Sequence, residues 1–220
     1  MSQPQVIFLD AVGTLFGVRG SVGQIYADMA RSAGVETDAA ALDQAFIQAF
    51  SSASPMAFPQ TETTAIPQAE YRWWHAIAQQ AFTQIDALAA FSDFEGFFTE
   101  LYAHFATAEP WFLYPDTLQA LQNWQAQEIE LGIISNFDSR IYAVLDALEL
   151  SHCFQTITIS TEVGAAKPHP LIFATALQKH GCQPAAAWHI GDSYQQDYEG
   201  AKAAGLKGIW LNRSENQPNK

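Results

Sequence analysis

Short apolar runs alternate with longer amphipathic stretches over both ends of the chain. Val6-Ile7-Phe8-Leu9 has the length and character of a strand buried on both faces, and similar runs recur at Glu130 to Ile134, Thr156 to Ile159, Ala187 to Ile190 and Gly208 to Leu211. Helical patterns separate them. Leu118, Leu121 and Trp124 face one way down a helix that Asp116 and Gln119 are spaced to cap, and Ile141, Val144, Leu145 and Leu148 form the apolar stripe of the next. Further helical segments span Leu171 to His180 and Gln196 to Ala204, the latter stopped by Gly205. Five buried strands joined by helices predict an α/β fold: a parallel sheet, doubly wound, with helices on both faces.

The stretch from Phe16 to Pro110 has a different texture, with no strand of comparable quality. Ser21 with Gln24 caps a helix ending at Gly34; Leu42, Ala45, Phe46 and Ala49 mark a second; Tyr71, Trp74, Ile77, Ala78 and Ala81 a third; Phe94, Phe97, Leu101 and Phe105 a fourth. The segment Ser51 to Pro67, rich in Ser, Thr and Pro, predicts a loop between these helices. The chain therefore divides into a sheet domain, residues 1–16 and 111–220, and an inserted all-α domain, residues 17–110. Gly17 to Gly23, which carries Arg19, superficially resembles a phosphate loop but lacks the Lys-Ser or Lys-Thr that would complete one, so it predicts a hinge. The polar stretch Ser214 to Lys220 is a tail.

At 220 residues, 49% of them hydrophobic, the chain can bury a sizeable core. Its formal net charge of -13, from 10 Lys plus Arg against 23 Asp plus Glu, argues against nucleic acid and anionic membranes as partners. A phosphorylated metabolite is repelled as well, unless a bound divalent cation and a well-placed Lys invert the field locally. Cys153 and Cys182 stand at no ligand-like spacing and predict free thiols in a cytoplasmic protein. Neither a targeting signal nor an apolar stretch of membrane-spanning length is expected.

Chemistry-bearing residues fall at the ends of the strand-like runs, where parallel α/β sheets place their sites. Asp10 ends the first run and opens Asp10-Ala11-Val12-Gly13-Thr14; Ser135 ends Leu131-Gly132-Ile133-Ile134 and is followed by Asn136. Lys167-Pro168 lies in a loop, and Gly191-Asp192-Ser193 follows another run, with Asp197 five residues after Asp192. In this order the four segments resemble the motifs of the haloacid dehalogenase-like hydrolase superfamily, in particular the branch with a helical cap inserted after the first motif. That resemblance implies a Rossmann-like core under such a cap.

The resemblance also implies roles. Asp10 is the nucleophile, Ser135 and Lys167 are catalytic, and Thr14, Ser135, Asn136 and Lys167 bind the substrate. Asp10, Asp192, Asp197 and the backbone carbonyl of Val12 form the site of a Mg2+ ion, with Asp197 acting through water or orienting Lys167. The activity implied is hydrolysis of a small phosphorylated metabolite through an aspartyl phosphate. Without a cation these carboxylates would repel one another, so their clustering itself calls for one.

Val12 departs from the pattern: phosphatases of the superfamily carry a second Asp there, which protonates the leaving oxygen and activates the hydrolytic water. Its loss removes general acid/base catalysis worth about 10²- to 10⁴-fold. Two alternatives follow. A 2-haloacid dehalogenase also lacks this Asp but works without metal, which the Asp192 and Asp197 pair opposes; a catalytically weak or inactive protein could instead bind a phosphorylated ligand. Phosphonate hydrolysis in its familiar form needs a cap Lys, and Lys167 is the first Lys in the chain. His189 reads as a satisfied buried histidine, and His75 with Trp73 and Trp74 as cap core.

Overall fold

The first apolar run forms β1 (Val6–Leu9), the central strand of the main sheet in a computed structural model that describes residues 3–213. The other strands are β2 (Phe16–Val18), β3 (Trp111–Leu113), β4 (Glu130–Ser135), β5 (Thr156–Ile159), β6 (Ala187–Gly191) and β7 (Lys207–Trp210). Five of them pair in the order β5-β4-β1-β6-β7, and every pairing is parallel. All four residues of β1 are buried, so both of its faces are covered. Val6 and Phe8 pack on one side with Ile172, Phe173 and Ala176, while Ile7 and Leu9 alternate to the other.

The α-helices are α1 (Val22–Ser32), α2 (Ala39–Ser52), α3 (Ile66–Gln84), α4 (Phe94–His104), α5 (Thr117–Gln125), α6 (Ile141–Ala147), α7 (Ser160–Val163), α8 (Pro170–Lys179) and α9 (Gly200–Ala203). Ser21 caps α1 by accepting from the Gln24 amide, as its spacing predicts, and Asp38 and Asp93 cap α2 and α4 in the same way. The Asp116 and Gln119 capping box does not form. Asp116 has helical backbone angles and accepts from Arg213 at 2.7 Å instead, while Gln119 turns to Asn123. Leu118, 46% exposed, is consequently off the buried face, which Thr117 and Leu121 supply. The expected helix from Gln196 to Ala204 is a π-helical segment, Tyr194–Glu199, running into the single turn of α9; Gly205 ends it at φ +85°.

By its internal contacts the chain forms two units: Met1–Gly17 with Met56–Ile66 and Leu113–Lys220, and Val18–Pro55 with Pro67–Phe112. The sheet unit thus takes in Met56–Ile66, a segment that reads in sequence as a loop within the helical block. Ser160 donates to the Met56 carbonyl at 2.6 Å, and Gly164 (φ +72°) lies against Pro59, so this stretch is part of the sheet unit's own packing. The helical unit has a separate core of Tyr26, Leu42, Phe82, Phe97, Phe98 and Leu101, with Phe82 edge-on to Phe91 and Phe97. The expected hinge is partly strand: β2 pairs with β3, and the Arg19 amide donates to Pro110. Among the described residues no helix is long and apolar enough to cross a membrane. The tail Ser214 to Lys220 lies outside the described residues.

Candidate active site

Parallel register gathers the site. Leu9 stands opposite Ile133 of β4 and Ile190 of β6, so Asp10, Ser135 and Asp192 all emerge at the C-terminal ends of adjacent strands. The Asp10 amide extends the ladder by donating to Ile190 at 2.9 Å. Asp10 Oδ1 then accepts from the Ser135 hydroxyl at 2.9 Å and from the Lys167 ammonium at 2.7 Å. The same ammonium donates to Asp197 Oδ1 at 2.6 Å. All four residues are buried.

Lys167 stays charged in this setting. Burial works against its ammonium, but the facing charges of Asp10 and Asp197 raise its pKa above the ordinary lysine value. Asp197 is the converse case: burial opposes its charge, yet Lys167 and His189 hold its carboxyl below the usual range. His189 Nε2 lies 2.8 Å from Asp197 Oδ1, and burial lowers the histidine's pKa. A neutral ring donating from Nε2 follows, since the carboxylate can only accept. Its Nδ1 is buried without a partner.

The carboxylate oxygens of Asp10, Asp192 and Asp197 lie within 4.8 Å of one another. They are not equivalent. Asp197 is fully engaged, Oδ1 by Lys167 and His189 and Oδ2 by the Ser193 amide at 3.0 Å. Asp10 is bound through Oδ1 alone, and the Asp192 carboxylate accepts only from its own backbone amide among the described residues. Although Asp192 retains exposed surface, loss of water around its carboxylate and then the charges of Asp10 and Asp197 push its pKa up to about 6. Gly13 permits this crowding: at φ +87° it favours glycine, and a Cβ there would stand 2.4 Å from Asp192 Oδ2. An all-oxygen donor set carrying excess negative charge fits a hard divalent cation.

The turn after Asp10 is ordered by its own backbone. Thr14, Leu15 and Phe16 donate their amides to Ala11, and Gly13 donates to Phe16. The bridge between Val12 and Phe16 uses the groups on either side of Val12, leaving that residue's own amide and carbonyl outside it. Thr14, by contrast, is 2% exposed, with its hydroxyl buried and unpartnered. Asn136, expected at the substrate, grips the backbone of Lys167: its Nδ2 donates to the Lys167 carbonyl at 3.0 Å and its Oδ1 accepts from the Lys167 amide at 2.7 Å. Its side-chain amide is also 3.2 Å from Gln196 Oε1.

His189 is the buried, hydrogen-bonded histidine that its place in an apolar run suggests, but the sequence does not show that its partner is Asp197. The available signal was its position on β6 just ahead of Gly191-Asp192. Also missed was Asn136 as a brace for Lys167, since a loop contact over 31 residues leaves no local trace.

The sequence pattern of the haloacid dehalogenase-like hydrolases matches residues 4–205. The chain is 35% identical over 207 residues to haloacid dehalogenase-like hydrolase domain-containing protein 3 of Bos taurus, covering 93% of this chain and 80% of that one. Among solved structures it resembles a HAD phosphatase from Thermococcus onnurineus (TM-score 0.62, 23% identity, 98% of this chain and 89% of that one). It also resembles the L-2-haloacid dehalogenase of Xanthobacter autotrophicus (TM-score 0.66, 21% identity, 96% and 80%). The chain belongs to the haloacid dehalogenase-like hydrolase family and is a hydrolase.

Proposed function

We propose that this protein is a Mg2+-dependent phosphatase of a small phosphorylated metabolite, working through an aspartyl phosphate on Asp10 with Val12 in place of the usual acid/base. Two enzymes of different chemistry share its fold, so the fold does not choose between them. The acidic cluster carries the choice. Asp192 has no evident use in displacing halide, whereas beside Asp10 it suits a cation that a phosphoryl group would share. Asp10, Asp192 and the Val12 carbonyl would hold Mg2+, which supplies neutralising charge for the phosphoryl oxygens. Asp197, its oxygens already occupied, orients Lys167.

In this reading a carboxylate oxygen of Asp10 attacks phosphorus in line, the P–O bond to the leaving group breaks, and an acyl phosphate forms. Ser135, Lys167 and the Val12 amide turn to the phosphoryl oxygens, donating to charge as it develops. Water then attacks phosphorus and releases Asp10 and inorganic phosphate. Because the Val12 side chain transfers no proton, position 12 neither protonates the leaving oxygen nor activates the second water. Good leaving groups are favoured and the second step is slowed.

The net charge of -13 disfavours nucleic acid and membranes as partners in this proposal. A cytoplasmic setting suits the free thiols Cys153 and Cys182. The test is turnover of an aryl phosphate with and without Mg2+, alongside 2-chloropropionate. Phosphate release should require the metal and vanish in Asp10→Asn, with no chloride released; metal-independent chloride release would overturn the reading.

A further inference from the structure

Arg213 lies beyond the segment that matches the family pattern, yet it reaches back to the turn that follows Asp10. Its Nη2 donates to the Thr14 carbonyl at 2.6 Å, its Nη1 to Asp116 at 2.7 Å, and its guanidinium stacks on Tyr114 at 3.9 Å. The side chain is 18% exposed, and its Nε is buried without a partner. Nearby groups hold the same turn: the Thr117 hydroxyl and the Tyr114 amide both donate to the Leu15 carbonyl, at 2.7 and 3.2 Å.

The turn has little freedom to move without consequence. Thr14 adjoins Gly13, whose backbone sits so close to Asp192 that no Cβ fits between them. Asp10 and Val12 stand on the other side of that glycine. A carbonyl tied at Thr14 by a charged donor therefore fixes the distance from the Asp10 loop to the Asp192 loop. From the far side Trp210 Nε1 donates to the Asp192 carbonyl at 2.9 Å, so β7 and the residues just after it brace both loops.

We infer that Arg213 is a positioning residue for the hydrolytic reaction: it locks the Asp10 turn at Thr14, using Asp116 and Tyr114 to hold its own guanidinium in place. The planar fork matters, because its flat face stacks on Tyr114 while two separate nitrogens reach the Thr14 carbonyl and the Asp116 carboxylate, a geometry that a compact lysine ammonium on a flexible stem does not reproduce. Asp116 acts as the anchor for the guanidinium.

The inference rests on the phosphatase reading for its kinetic arm and is independent of it for a second arm. In Arg213→Ala and Arg213→Lys, kcat for an aryl phosphate should fall on the order of 10- to 10²-fold with KM little changed, as expected when reacting groups are misplaced rather than binding lost. Added methylguanidinium should restore turnover in Arg213→Ala, and Asp116→Asn should give a smaller fall of the same kind. Hydrogen exchange of the Thr14, Leu15 and Phe16 amides should quicken in Arg213→Lys while the thermal midpoint stays near that of the wild type. Unchanged exchange in a folded Arg213→Lys overturns the inference whatever the substrate, as does unchanged kcat. Absence of any wild-type turnover with quickened exchange contradicts the phosphatase reading and leaves the lock standing.

Discussion

The Lys167 ammonium bridges Asp10 and Asp197, 2.7 Å from one carboxylate and 2.6 Å from the other. Among the described residues it is the cation placed among three acids, with its backbone held by Asn136 and its second partner held by His189 and the Ser193 amide. Each support fixes a rotamer that a flexible lysine would not hold alone, which is how a strongly acidic chain presents a positive group beside its nucleophile.

Removing that cation while keeping the side-chain bulk, as in Lys167→Met, strands two buried carboxylates. We expect activity to be lost and unfolding free energy at pH 7 to fall by about 3–5 kcal/mol, read from urea denaturation. The gap should narrow in acid. Asp197 has a depressed pKa in the folded wild type, so the stability it contributes is present above the ordinary carboxylate pKa and is lost as pH falls below it. A gap independent of pH would show that the Lys167 pairs contribute little.

The core strands and the order of the site residues were legible in the sequence, because a parallel strand buried on both faces leaves an unbroken apolar run and puts its next residue at the site. β1 ends at Leu9 and β6 at Gly191, with Asp10 and Asp192 directly after them. What was not legible depended on partners distant in the chain. Asp116 has a capping residue's spacing but binds Arg213, 97 residues away, and the sequence does not show that Asn136 braces the Lys167 backbone. The segment from Met56 to Ile66 has a loop's composition, and contacts made a hundred residues away, by the Ser160 hydroxyl and Gly164, show which unit it joins.

Asp192 yields a prediction with a defined sign. Its pKa is pushed up to about 6, so without metal its folded form binds a proton more readily than its unfolded form, and its contribution to stability falls as pH rises through about 4 to 6. Asp192→Asn should therefore be more stable than the wild type in chelator at pH 7, by less than about 1 kcal/mol because the residue keeps part of its surface in water. Added Mg2+ should reverse the order by stabilising only the wild type. Equal stabilisation of both proteins by Mg2+, measured by thermal unfolding, would place the cation elsewhere.

Replacing Val12 by Asp should restore a proton donor next to Asp10. Turnover of alkyl phosphates should rise by up to about 10²-fold and that of aryl phosphates by less, since poor leaving groups depend most on protonation. The ratio of the two rates is the measurement that matters. If it is unchanged in a folded variant that still binds Mg2+, the missing acid is not the limiting defect.

The central claim is that Asp10 takes up a phosphoryl group and that Val12 leaves it slow to be released. Rapid quench of the wild type with an aryl phosphate and Mg2+, followed by mass spectrometry of the peptide containing Asp10, tests this most directly. The account predicts a burst of aryl alcohol matched by one phosphoryl group on Asp10, absent with chelator, absent in Asp10→Asn, and much reduced at steady state in Val12→Asp. Metal-dependent turnover with the Asp10 peptide unmodified at every quench time, and a burst that persists in Asp10→Asn, would contradict it.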